Sequence, residues 1–139
     1  MTMKKKKMNA ISPAMCPCGS GELLADCCGR YHGGEFAPDA ARLMRSRYSA
    51  YVLGLEAYLL ATWHASTCPG VLDLAADANL RWLGLEVLSM VEDVDCAEVA
   101  FIARYKANGR AGRMEEVSRF VRESGRWFYV DGDVKNGEV

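Results

Sequence analysis

Four of the chain's six cysteines fall within thirteen residues, as Cys16-Pro17-Cys18 and, eight residues later, Cys27-Cys28. Four thiolates at such spacing suit one soft divalent ion, and zinc takes four ligands in a tetrahedron. Cys16 and Cys18 stand two apart, so an extended backbone turns both sulfurs to one side. Pro17 fixes its own φ and biases Cys16 towards extended geometry. Gly19 and Gly21 permit a sharp reversal with backbone N–H groups near the sulfurs. A helical turn over Leu23 to Cys28 then returns the second pair. Four thiolates around a divalent cation leave a formal charge of about -2. Arg30 is the nearest cation in sequence to offset it, or else a solvated surface residue. His32 is a substitute ligand in principle, but four cysteines already fill the shell. Thiolate sites also accept iron, and residue types do not separate it from zinc. A disulfide reading is poor, because adjacent cysteines rarely bond to each other and the chain reads as cytosolic. Cys68 and Cys96 lie far away with no neighbouring base, and read as ordinary cysteines.

A second set of polar residues is scattered through the remainder. Arg45 and Arg47 lie on a predicted helix, Trp63 and His64 follow the next one, and Glu116, Arg119 and Asp131 fall on predicted strands. If these line one pocket, they are its polar groups. His64 becomes an acid or base near neutral pH if Glu116 or Asp131 lies beside it. The plainer readings are a helix-end cap for His64, salt bridges for the two arginines, and core packing for Trp63, Trp82 and Trp127. No Ser-His-Asp order, Gly-rich phosphate loop or HExxH motif is present.

The elements that must position these residues follow from composition and period. The chain has 139 residues, half of them hydrophobic and a quarter charged, which is enough for one ordinary buried core. The net charge is -1. Residues 1–35 carry five Lys/Arg against three Asp/Glu, mostly through Lys4 to Lys7, and the rest is acidic. This balance, with no basic-aromatic stripe, argues against nucleic acid as a partner. The basic start has no apolar stretch behind it, so it is not a secretory signal. No segment approaches the roughly 18 apolar residues of a membrane helix. Residues 1–13 read as a disordered tail and the chain as cytoplasmic, with reduced thiols.

A long helix is predicted from Asp39, after Pro38, to Leu53, with Gly54 as its stop. Met44, Tyr48, Tyr51 and Leu55 form its apolar face. A second helix covers Glu56 to Trp63, and a short piece Val71 to Ala76. The period then changes to two. Arg81 to Val91 is a strand, with a turn at Asp93 to Asp95. Val99, Phe101, Ala103 and Tyr105 alternate with Ala100, Ile102, Arg104 and Lys106. Asn108-Gly109 is a hairpin signal. Met114, Glu116, Ser118 and Phe120 then alternate with Glu115, Val117, Arg119 and Val121, and after Ser124-Gly125 a last strand spans Arg126 to Asp131. Helices followed by an antiparallel meander define an α+β domain with helices on one face of the sheet.

The residues Cys16-Pro-Cys-Gly-Ser-Gly through Cys27-Cys28 resemble the SEC-C motif. That motif is named for the metal-binding tail of the SecA translocation ATPase, where it binds zinc and contacts the SecB chaperone and the ribosome. Leu43 to Tyr51, Thr62-Trp63-His64, Trp82 to Leu85, Ser118-Arg119-Phe120 and Trp127 to Gly132 resemble the bacterial YchJ family. The resemblance runs from about Cys16 to Asp133. It implies a zinc knuckle over residues 14–35 and a nuclear-transport-factor-2-like (cystatin-like) cone over 36–133, with helices packed on a curved antiparallel sheet. Residues 134–139 are then a tail. Longer members of the family carry a second such motif at the C-terminus, which the sequence to Val139 lacks. The resemblance implies a fold and a metal, and no reaction.

Two functional expectations follow. One is a zinc-binding, non-enzymatic module that presents its knuckle to a protein partner. The other is a small-molecule-binding protein or enzyme that uses the cone interior, lined by some of Arg45, Arg47, Trp63, His64, Glu116 and Arg119.

Overall fold

Asp39 caps the long helix through its side chain, which accepts from the Arg42 backbone N–H at 2.8 Å. In the computed structural model, which describes residues 14–74 and 79–138 (136–138 as backbone only), α1 spans Cys28–His32, α2 Ala40–Leu53 and α3 Glu56–Ala61. Gly54 ends α2 in the left-handed region, as expected. The second helix is shorter than its sequence suggested. Thr62 caps it, and Trp63 leaves it to bridge Tyr129. Val71 to Asp73 form no helix, and Ala75 and Ala76 lie outside the described residues, as does the Lys4–Lys7 run.

Four strands follow: β1 (Leu80–Glu92), β2 (Cys96–Ala107), β3 (Arg110–Glu123) and β4 (Arg126–Glu138). They form one antiparallel meander in chain order. Asn108 and Gly109 take φ of 52° and 80°, and Ser124 and Gly125 take 53° and 78°. Positive φ at both central residues matches the right-handed twist of the flanking strands. The last strand overruns its predicted end. Residues 134–138 are not a tail, because they pair with β3 from Val134↔Glu116 to Glu138↔Gly112. Polar composition hid this pairing, since an edge strand tolerates Asp, Lys and Asn where a central strand does not.

Register shifts occur twice in β1, around Leu83 and Leu88, and once in β4, around Val130. Each extra residue bends its strand and raises the local twist, which curves the sheet around α2. Val99, Phe101, Ala103, Phe120 and Trp127 face inward and meet Leu43, Met44 and Tyr48 of α2. Each large side chain so buried contributes about 1.5–3 kcal/mol. Leu55, expected on the face of α2, instead stands at the N-cap of α3, whose Leu59 is fully buried.

Candidate metal centre and cone cavity

The knuckle is a small hairpin closed by its own backbone. Cys16 N–H donates to Glu22 at 2.9 Å, and Leu24 N–H donates to Ala14 at 2.9 Å. Gly19 and Gly21 make the reversal at φ of 83° and 86°. The returning pair does not come from one continuous helical turn. A 3-10 turn over Leu24–Asp26 breaks at Cys27, and α1 begins at Cys28. Gly29 lets α1 approach that turn, since a Cβ there would lie 2.6 Å from the Leu24 carbonyl oxygen.

The four sulfurs of Cys16, Cys18, Cys27 and Cys28 lie within 4.8 Å of one another. Cys18 and Cys27 are 3.6 Å apart. A tetrahedron with metal–sulfur bonds near 2.3 Å has edges of about 3.8 Å, so the donor set fits a zinc-sized ion. Three of the four cysteines are buried. Ser20 Oγ donates to Cys27 Sγ at 3.2 Å. The thiols divide sharply in acidity. Cys18 is pushed down to about 4, chiefly by its hydrogen bond with Cys28. That same bond, with burial, pushes Cys28 far up, and burial raises Cys27. One sulfur ionises readily while its neighbours resist further charge, and a cation at the centre removes that resistance.

The knuckle is fastened to α2. Arg45 Nη1 donates to the Cys18 carbonyl at 3.2 Å, and Cys16 Sγ lies 3.6 Å from Ser49 Oγ. His32 Nε2 donates to the Ser46 carbonyl at 2.8 Å, and its ring stands edge-on to Tyr58. His32 is therefore a clasp between α1 and α2 and not a substitute ligand. Arg30 does not face the sulfurs either. It forms a two-pronged pair with Glu35, through Nε at 3.2 Å and through Nη2 to Oε2. The arginine that reaches the knuckle is Arg45, seventeen residues beyond Cys28, a distance that adjacency in sequence cannot reveal.

The second polar set separates in space. Arg47 and Glu116 line one cavity of about 170 Å³, with Tyr48, Tyr51, Trp82, Ser118 and Tyr129 among its walls. Arg47 is 5% exposed, and burial lowers its pKa. Its Nη1 donates to the Leu59 carbonyl at 2.8 Å and to Thr62 Oγ1 at 2.6 Å. The guanidinium also sits 4.6 Å from the Tyr129 ring centre and 5.1 Å from that of Trp63. Glu116 Oε2 accepts from Ser118 and from Tyr129 at 3.3 Å. Burial first, and then the Glu116 charge, raise the Tyr129 pKa.

The other expected members lie elsewhere. Arg45 serves the knuckle. Trp63 covers Arg47, and its Nε1 donates to Thr67 Oγ1. Arg119 lies on the outer face of the sheet, where it binds Asp131 at 2.6 Å and Asp133 at 3.0 Å. His64 has a carboxylate partner, but it is Glu123 at 2.8 Å, not Glu116 or Asp131. Its Nδ1 accepts from Ser66 N–H, so Nε2 carries the proton given to Glu123. Residue type alone could not choose among three carboxylates. The unanticipated cavity residues are Tyr48, Tyr51, Trp82 and Tyr129. The alternation that set Glu116 and Ser118 in one row with Phe120 already pointed inward.

An antiparallel sheet wrapped over a helix, with a four-cysteine cluster at residues 16–28, defines a nuclear-transport-factor-2-like domain carrying an N-terminal SEC-C knuckle. Residues 39–132 match the family model described as the YchJ middle NTF2-like domain, and residues 14–30 match the SEC-C motif. The chain belongs to the YchJ family. It is similar to a UPF0225 protein of Cupriavidus metallidurans, 53% identical over 96% of this chain and 98% of that one. A UPF0225 protein of Chromobacterium violaceum is 56% identical over 94% and 98%. Among solved structures, a SEC-C motif containing protein from Rhodopseudomonas palustris superposes with TM-score 0.77 at 33% identity, covering 85% of this chain and 96% of that one. One from Psychrobacter arcticus gives 0.72 at 30%, covering 84% and 80%. The four-cysteine cluster is compatible with a metal ion. Among the described residues, no helix is long and apolar enough to cross a membrane.

Proposed function

We propose that this chain is a zinc-binding protein whose knuckle is a structural and partner-facing element, acting in the cytoplasm where its thiols stay reduced. The convergence of four sulfurs, three of them in buried cysteines, supports this reading. Four protein ligands leave no open position for a reacting water, which is the mark of a structural zinc site. The hairpin turns two apolar side chains outward, Met15 at 56% exposure and Leu23 at 37%, and these two residues are bridged to each other. They offer a protein partner a small apolar patch on a rigid base. A photo-crosslinking residue at position 15, placed in cells, should give one discrete protein adduct that the same residue at exposed Val94 does not. Identical adduct patterns at both positions would sink the interaction reading.

A second reading is favoured by one observation. Arg47 and Glu116 are buried ionisable groups in one aromatic-walled cavity, which is the form a small-molecule site takes. An interior filled with aliphatic side chains would have ended this reading, and the interior is not so filled.

A further inference from the structure

The cavity between α2 and the sheet holds two ionisable groups, each already hydrogen-bonded to neutral partners. Arg47 has two acceptors on Nη1 and packs against the adjoining rings of Trp63 and Tyr129. Glu116 has two hydroxyl donors, and both converge on Oε2. What remains is hydrogen-bonding capacity. Among the described residues, the one fully buried side-chain nitrogen or oxygen without a partner is Trp127 Nε1. The hydrogen bonds that Arg47 and Glu116 make with the described residues use Nη1 and Oε2, and both residues line the cavity. Arg47 and Glu116 do not pair with each other within 4 Å, although both line the same space. One wall therefore offers spare donors and another a spare acceptor. The surfaces between them are Tyr48, Trp82, Phe101 and Phe120.

We propose that this cavity binds a neutral, planar heteroaromatic molecule whose edge carries a hydrogen-bond acceptor for Arg47 and an N–H donor for Glu116, as a cyclic amide does. The proposal rests on the small-molecule reading above and names its ligand class. Charge decides the class. An anion would meet Glu116, a cation would meet Arg47, and a zwitterion would have to shed the hydration of two further charges, at several kcal/mol per ion. Flat neutral rings lose little on leaving water and gain from offset or edge contact with the aromatic walls. Size agrees. At roughly 30 Å³ per water, 170 Å³ holds about half a dozen waters or one small ring system in their place.

The test is a set of NMR titrations of the metal-loaded full chain, following the Trp82 indole and Tyr129 signals. The probes are uracil and 4-quinazolinone as neutral cyclic amides, and 1,3-dimethyluracil, which lacks the N–H. Benzoate, benzylamine and phenylalanine represent the anion, cation and zwitterion. The cyclic amides should shift the cavity signals and dimethyluracil should not. Glu116→Gln keeps the side chain's shape and can turn an amide N–H2 into the cavity in place of the carboxylate oxygen. It should weaken the cyclic amides by about tenfold or more, with the remaining spectrum unchanged. If benzoate, benzylamine or phenylalanine binds in the cavity and the cyclic amides do not, the ligand class is wrong while the small-molecule reading stands. If no probe moves the cavity signals at millimolar concentration, both fall.

Discussion

Arg45 and Arg47 stand two residues apart on α2 and hold different parts of the molecule. Arg45 reaches out to the Cys18 carbonyl at 3.2 Å, and Arg47 reaches in to the Leu59 carbonyl at 2.8 Å. A rotation of about 200° along a helix separates their directions. The helix is thus the shared wall of the knuckle and the cavity, and the two sites are mechanically joined through it.

Replacing Arg45 with alanine should loosen the knuckle without emptying it. One charge-assisted hydrogen bond is lost, at about 1.5–3 kcal/mol. The four sulfurs remain, so metal content should stay near that of the wild type. Hydrogen exchange of Cys16 to Cys28 amides should quicken while that of the sheet does not. Exchange that quickens equally everywhere would show that Arg45 acts on the whole fold instead.

Gly132 pairs with Ser118 across β3–β4 and lies diagonal to Glu116. A Cβ at position 132 would lie 2.2 Å from Glu116 Oε2, so the carboxylate must move or the strand must shift. Gly132→Ala should therefore destabilise the protein by about 1–3 kcal/mol, read from denaturant unfolding. In the double variant with Glu116→Ala, the clash has no partner and the two effects should fall short of additive. Strict additivity would mean that the crowding at Gly132 comes from something other than Glu116.

The outer sheet face carries an acid-sensitive ion pair between Arg119 and Asp133. Arg119 holds the Asp133 pKa below the ordinary carboxylate range through their hydrogen bond. A folded pKa below the unfolded one means the contribution is present above the unfolded value and is lost as pH falls through the folded one. The group is fully exposed, so the effect is small and salt-sensitive. Carbon-detected NMR titration should give Asp133 a midpoint below the ordinary carboxylate range. Arg119→Gln should return it to the usual range, and an unchanged midpoint would remove Arg119 as the cause.

Much of the fold was legible because its signals are local. Asp39 and Gly54 bound α2 by their own chemistry, and the period-two rows of β2 and β3 separated inward from outward residues. Asn108-Gly109 and Ser124-Gly125 set both hairpins. The cysteine cluster was legible for the same reason, since all four ligands lie in one short segment. What escaped was either non-local or weakly patterned. The end of β4 is polar, so nothing in its composition distinguished a paired edge from a tail. His64 and Arg119 are polar residues near other polar residues; the register of β4 against β3 sets Arg119 opposite Asp131, and only the tertiary fold brings His64 to Glu123. Arg30 and Arg45 exchanged roles because the nearest cation in sequence is held by Glu35.

The most direct test of the metal centre is to purify the chain without added metal, determine its metal content, and strip the ion while recording amide spectra. A structural zinc knuckle gives about one zinc per chain. On chelation, the signals of residues 14–35 should lose dispersion while those of β2 and β3 persist, and zinc should restore them, because binding energy is folding energy in such sites. Knuckle signals that stay dispersed after the metal is removed would contradict a metal-built knuckle, and iron in place of zinc would correct the ion.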